Sequence, residues 1–455
     1  MARQIFTMAS HWSETPIARV LGPMQEFIHK SASSGITLMA ATVLALIIAN
    51  SPLAESYNSL LHTYIGISAG PFQLKYSLQH WINDGLMAVF FFLVGLEIKR
   101  EVLAGELANL RAAMLPILAA LGGVMVPAAI YTFFNLGKPG ATGWAIPMAT
   151  DIAFALGLLA LLGDRIPFGL KVFLTAVAIV DDLIAVLVIA LFYSGGINVM
   201  ALMIGFGILT LLVLANLSGI RTLSLYAVLG ILVWLAFLQS GIHATIAGVL
   251  VAWIVPARTR IDSATFVERS EEILARIETH SGGPGLLVSN ETQQHAIIEL
   301  EEVCEDAQAP LQKMEDSLHF WVQFVIMPIF ALANAGVAIS ASQLLGESAS
   351  IPLGIIFGLV IGKPVGIMLA CYLAVRFGLA SLPSNVDWKQ MIGVGCLAGI
   401  GFTMSLFIAT LGFGEGALLE SAKMGTLLAS IIAGSIGFFI LWRHKAKPMK
   451  NAESV

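Results

Sequence analysis

Apolar runs of close to 20 residues recur along the chain from Gly35 to Trp442, each long enough to cross a bilayer as a helix. No single soluble core can absorb them. Only 12% of the residues are charged while 57% are hydrophobic, about half the charge that a soluble surface requires. The pattern predicts an all-α polytopic membrane protein with about twelve transmembrane helices. They fall near 35–51, 82–100, 113–134, 143–162, 168–193, 198–217, 221–238, 243–255, 318–340, 351–377, 389–412 and 415–442. A polar segment precedes the first run and equivalent runs follow it, so this run reads as a span and not as a cleaved leader.

Lys and Arg set the orientation. With connections assigned alternately, twenty of the 24 fall on one side, three (Lys75, Lys138 and Lys423) on the other, and Lys363 is left inside. Both termini are therefore expected to be cytoplasmic. Two connections are long. Outside, alternating pieces at Tyr64 and Phe72 around Gly70-Pro71 predict a β-hairpin within 52–80. Inside, residues 257–316 contain two amphipathic stretches, near 264–279 and 291–307, split by Gly282-Gly283-Pro284-Gly285. Arg258 to Asp316 carries a net charge of −8 and the remainder +3. Its acid-rich face reads either as a solvated surface or as a regulatory flap. Nucleic-acid binding has no support in this charge pattern, and Cys304, Cys371 and Cys396 form neither a disulfide framework nor a C-x-x-C pair.

Asp151, Asp181, Asp182 and Lys363 stand near the middle of apolar spans. Each ionised side chain there costs about 2.5–3.5 kcal/mol on insertion scales, so four cost on the order of 10 kcal/mol. Pairing absorbs one acid against Lys363, not three. Asp181 and Asp182 point about 100° apart on a helix, so one can pair with Lys363 while the other lines a watery cavity. Carboxylates suit a hard cation, and the absence of nearby His and Cys argues against zinc or copper. Carboxylates in a low-dielectric setting also favour the protonated form, so one site can take a sodium ion or protons. Pro147 just before Asp151, and glycines at 393, 395, 399 and 401, permit unwound backbone in the fourth and eleventh spans. Two glycine patterns are decoys. Gly393-Val-Gly395 lacks the dinucleotide spacing, and Pro364 stands where a phosphate loop needs Ser or Thr. Gly354, Gly358, Gly362 and Gly366 recur every four residues as a smooth packing face.

The ordered motifs resemble the NhaA-type sodium/proton antiporters. They are Trp81-Ile-Asn-Asp-Gly-Leu-Met, Val94-Gly-Leu-Glu-Ile-Lys-Arg-Glu101, Ala149-Thr-Asp-Ile-Ala-Phe-Ala-Leu156 and Ala178-Ile-Val-Asp-Asp-Leu183, then Gly241-Ile-His-Ala-Thr245, Phe330-Ala-Leu-Ala-Asn-Ala-Gly336, Gly362-Lys-Pro-Val-Gly366 and Gly399-Ile-Gly-Phe-Thr-Met-Ser405. The resemblance covers roughly residues 30 to 445 and implies inverted repeats with two interrupted helices crossing at mid-membrane. Interrupted helices in corresponding places of two halves mark a transporter site, and antiporters of this type are among the proteins from which that rule comes.

The resemblance implies a transporter and not an enzyme, with no cofactor, exchanging intracellular sodium or lithium for external protons across the bacterial inner membrane. Asp182 is then the principal cation and proton carboxylate, with Asp181 beside it paired to Lys363. Asp151 and Thr150 lie at the crossing, where Asp151 faces positive helix ends and Lys363 negative ones. Residues 113–193 and 351–442 form the transport core. Residues 35–104 and 198–340 form an interface domain, whose outer hairpin joins two protomers into a homodimer; 1–34 and 443–455 are cytoplasmic ends. A pH-sensing cluster maps onto Glu97, Arg100, Glu101, Glu315 and His319. Glu97 to Glu101 read equally as interfacial anchors, and His243 reads either as a family histidine or as a packing one. Asp316 and the long inner loop depart from the family pattern and bear on the pH set point. Two other classes fit intramembrane acids. An aspartyl protease would need a G-x-G-D pattern that is absent, and a passive cation channel sits poorly with a mid-membrane lysine.

Overall fold

The computed structural model describes residues 33–69, 72–279, 291–338, 346 and 349–444. Most of the 1–34 segment, the tail beyond His444, Gly70-Pro71 and Gly282 to Gly285 lie outside the described residues. The chain is an all-α polytopic membrane protein with one small hairpin. Helices α1 (Ser33–Ala49) and α2 (Ala54–Leu61) meet at 114°. The expected hairpin follows, β1 (Tyr64–Ala69) antiparallel to β2 (Phe72–Ser77), with Tyr64 opposite Ser77 and Ile67 opposite Leu74. Then come α3 (Leu78–Ala104) and α4 (Leu110–Asn135), a 3₁₀ segment Pro139–Met148 leading into α5 (Ile152–Leu161), and α6 (Phe168–Phe192). The chain continues with α7 (Val199–Leu217), α8 (Leu223–Leu238), α9 (Thr245–Ile254), α10 (Ser263–Thr279), α11 (Glu291–Asp306) and α12 (Pro310–Asn334). It closes with α13 (Ser350–Arg376), α14 (Trp388–Ala398), α15 (Phe402–Phe413) and α16 (Ala417–Arg443).

Among the described residues, seven helices are long and apolar enough to span alone, and three bent pairs pass the same test together. The apolar helices α8 and α9, of 16 and 10 residues, lie where two further spans are expected but are shorter than those ten. Two boundaries differ from expectation. Helix α12 starts at Pro310, inside the stretch read as loop, because Leu311 and Met314 bury an apolar stripe while Gln312, Lys313 and Asp316 stay polar. A window sensitive to total hydropathy misses such an amphipathic start. The eighth run is short and Gln239 to Gly241 offer an extension of it in sequence, but these residues form the turn between α8 and α9.

Prolines explain two local irregularities. The π turns Val322–Ile326 in α12 and Gly358–Gly362 in α13 lie just before Pro328 and Pro364, which lack the N–H that a regular α-turn needs. The second turn sets Lys363 at the start of a new helical segment.

Two compact units emerge. One comprises the described residues up to Met87, Ala104–Ser194 and those from Trp321 on; the other comprises Ala88–Leu103 and Gly195–Phe320. In the first, two triples share a plan: a long helix, a helix broken by 42°, and a long helix, namely α4, 3₁₀–α5, α6 and α13, α14–α15, α16. Helix α13 packs along α4 through the glycine stripe: a Cβ on Gly366 would sit 2.7 Å from the Gly122 carbonyl carbon, and one on Gly362 3.1 Å from the Pro127 Cα. In the second unit, α10 and α11 form a separate helical pair around Ile273, Ala296 and Val303. It is closed at its base by the Arg260–Asp306 ion pair at 3.0 Å. Asp262 caps α10 by accepting the Thr265 N–H at 2.8 Å, and that bond holds its carboxyl below the usual range.

Because α4 and α13 touch backbone to backbone, Gly366→Val should destabilise the first unit by about 1–3 kcal/mol, the range for overpacking a close contact. Gly207→Ala, where an added Cβ meets nothing within 4 Å, is the control. Thermal unfolding in detergent should fall for the first and hold for the second; equal melting of both would refute the close-packing account.

Candidate ion site at the crossing of two broken helices

The break in the fourth span is chemically specified. Pro147 ends the 3₁₀ segment, Ala149 and Asp151 are extended, and the Asp151 side chain caps α5 by accepting the Phe154 N–H at 3.0 Å. The eleventh span breaks at Gly399–Gly401, between the Ala398 end of α14 and Phe402 at the start of α15. The two breaks meet: the Asp151 N–H donates to the Ile400 carbonyl at 2.7 Å. Ser405 Oγ donates to the Ile146 carbonyl at 2.7 Å. Backbone groups that lipid would leave unsatisfied are thus satisfied by the opposite broken span.

Three charged side chains meet at this crossing, almost fully buried: Lys363 at 0% exposure and Asp151 and Asp181 at 1%; Asp182, the next residue on α6, is 2% exposed. Lys363 Nζ lies 2.5 Å from Asp181 Oδ2 and also donates to the Met148 carbonyl, the C-terminal end of the 3₁₀ segment. A cation there meets the negative end of a helical dipole as well as a carboxylate. Thr150 Oγ1 lies 2.7 Å from Asp181 Oδ2 and 2.9 Å from the Ala398 carbonyl, and its single hydrogen serves one or the other. The second oxygen of Asp181, Oδ1, has no hydrogen-bond partner among the described residues. Asp151 sits at two helix N-termini at once. Besides capping α5, its Oδ2 accepts from the Thr403 N–H at 3.1 Å and from the Thr403 hydroxyl at 2.5 Å. Asp182 follows Asp181 on α6, turned by about 100° from it.

The candidate sensing residues gather in the second unit. Arg100 pairs with Glu315 at 2.8 Å and with Glu101 at 3.3 Å, and His319 Nδ1 lies 3.9 Å from Glu97 Oε1. His243 stands apart, in the turn before α9; the cluster neighbours the far end of α9, about 15 Å along the helix. There Lys99 donates to the Trp253 and Val255 carbonyls at 2.6 and 2.5 Å.

Thr403, Ser430 and Lys99 carry no contact that sequence patterns alone reveal. Thr403 had a signal, since a hydroxyl follows the break in the eleventh span as Thr150 adjoins that in the fourth. Ser430 accepts the Phe402 N–H at 3.1 Å from within an apolar helix, and no local pattern marks it. Lys99 meets carbonyls more than 150 positions away.

Two broken spans crossing over buried carboxylates, in a chain of apolar helices, define a secondary transporter of the broken-helix class. The chain belongs to the Na+/H+ antiporter 1 family, which matches residues 25–441. It is 50% identical to the Na+/H+ antiporter NhaA of Oleidesulfovibrio alaskensis, over 94% of this chain and 95% of that one. It is 49% identical to Na+/H+ antiporter NhaA 2 of Syntrophotalea carbinolica (95% and 98%) and 48% to Na+/H+ antiporter NhaA of Wolinella succinogenes (94% of each).

Truncating Lys363 leaves Asp181 buried without its basic partner, a loss that typically costs about 3–5 kcal/mol. Lys363→Ala should therefore melt well below the parent protein. Adding Asp181→Asn, which removes the stranded charge, should recover much of that stability. A double variant melting no higher than the single one would contradict the pair.

Proposed function

We propose that the protein exchanges sodium or lithium ions for protons across the bacterial inner membrane, with Asp182 as the principal carboxylate and Asp181 as its partner. The observation that carries this reading is the imbalance of three buried acids against the single buried base Lys363 at the crossing. Such an arrangement is costly unless the excess charge is exchanged for cargo. Sodium and protons are alternative occupants of the same oxygens, so binding one drives out the other. Asp151 and Lys363 balance the half-helix ends, and Thr150 offers a neutral oxygen beside Asp181. The family membership and the names of the relatives support the same cargo.

Exchange is electrogenic in this account. One sodium ion displaces a proton directly from Asp182 and a second through the Lys363–Asp181 pair, so two protons enter for each sodium that leaves. The two triples, spans 113–193 and 351–442, act as the moving core against 35–104 and 198–340. The exposed hairpin residues Tyr64 and Ile65 suit a contact between two protomers. The Lys and Arg asymmetry supports cytoplasmic termini, which puts the Glu97, Arg100, Glu101, Glu315 and His319 cluster on the inner side as the pH sensor. There it would respond to internal protons.

Asp182→Asn keeps the shape of the side chain while removing its charge and its titratable proton. In proteoliposomes this variant should insert normally and lose sodium-driven proton movement; retention of the parent rate would overturn the assignment of Asp182.

Stoichiometry is tested separately in parent proteoliposomes with the membrane potential clamped by potassium and valinomycin. A potential negative inside should drive sodium out with no pH gradient. A rate and reversal point indifferent to the potential would mean one-for-one exchange.

A further inference from the structure

Asp151 is held by more donors than a helix cap needs. Its Oδ1 accepts the Phe154 N–H at 3.0 Å, and its Oδ2 accepts both the N–H and the hydroxyl of Thr403, at 3.1 and 2.5 Å. Phe154 belongs to α5 and Thr403 to α15, so one carboxylate ties together the N-termini of both half-helices. Thr403 is fully buried. Its hydroxyl is not required to cap α15. The Phe402 N–H is accepted by Ser430 Oγ at 3.1 Å, and that hydroxyl in turn donates to the Thr426 carbonyl at 2.8 Å. The Thr403 N–H reaches Asp151 without help from its own side chain. The hydroxyl is therefore surplus to the fold of the half-helix, yet it donates to the carboxylate.

From this geometry we infer that Thr403 is a positioning residue for cation binding: its hydroxyl occupies Asp151 Oδ2 and keeps that carboxylate turned onto the two helix ends, where it acts on the ion through its charge and not as a direct ligand. This deepens the exchange reading and rests on it. Without the hydroxyl, Oδ2 retains one backbone donor, and the carboxylate is free to rotate away from α15. The positive end of α15 and the Asp151 charge then no longer offset each other in a fixed place, and the field at Asp181 and Asp182 changes. The chemistry of exchange, on Asp182, is left in place.

The test is sodium-dependent exchange in proteoliposomes over a sodium series at fixed pH, for Thr403→Val and Thr403→Ser, each in the parent and in Asp151→Asn. Thr403→Val should raise the apparent KM for sodium about three- to tenfold with kcat within twofold of the parent, the range expected when the net contribution of one ordinary hydrogen bond is lost. Thr403→Ser should restore the parent KM. In the Asp151→Asn background the Val change should move KM by less than twofold, because the partner charge is already gone. Equal fold changes in both backgrounds, an unaltered KM for Thr403→Val, or failure of Ser to rescue would each overturn the inference. Absence of sodium-dependent exchange in the parent would instead overturn the exchange reading, so the two failures are distinguishable. If Thr403→Val does not fold, a KM for Thr403→Ser that departs from the parent by more than threefold counts against the inference, and a parent-like KM supports it.

Discussion

A helix interrupted inside a bilayer exposes carbonyls and N–H groups that lipid cannot satisfy, and this constraint organises the first unit. Each break needs partners, and the nearest partners are in the other break. Asp151 N–H meets the Ile400 carbonyl, Ser405 meets the Ile146 carbonyl, and Thr150 reaches the Ala398 carbonyl. Once the two interruptions satisfy each other, helix ends of both signs converge within a few ångströms. Charged side chains then become tolerable where apolar spans would otherwise reject them. Asp151 lies at the positive ends and Lys363 at a negative one, the arrangement that dipole electrostatics favours.

Side-chain charges are held in place by the same repair. Lys363, Asp181 and Asp151 are each engaged by strong short contacts within the protein. Asp182, next to Asp181 on α6, is buried as well, so the acids here outnumber the one base, Lys363. The close approach of α13 to α4 through glycines brings Lys363 to Asp181 on α6, and a bulkier stripe would push the ammonium away from it. Packing, backbone repair and electrostatics are in this sense one problem: the glycines allow the approach, and the approach places the base.

Much of this was legible in the sequence because membrane physics is severe. Apolar runs mark the membrane helices, and Asp151, Asp181, Asp182 and Lys363 stand out as charges in forbidden places. Pro147 and Gly399 to Gly401 marked the breaks. What stayed hidden depends on contacts between distant segments. Nothing local tells that Ser430 caps Phe402, or that Thr403 reaches Asp151 across 252 positions. Helix α12 began earlier than hydropathy suggested, because an amphipathic first turn buries Leu311 and Met314 while its mean polarity stays high. Lys99 counted toward orientation, but its grip on the end of α9 appears only in three dimensions.

The proposed exchange requires that sodium and protons compete for one set of buried carboxylate oxygens. Calorimetric titration of sodium into the detergent-solubilised protein, across a pH series and in buffers of different ionisation enthalpy, measures that competition without transport. The account predicts that apparent affinity falls as pH is lowered, and that binding releases protons to the buffer. Sodium affinity independent of pH, with heats that do not change with the buffer, would contradict it.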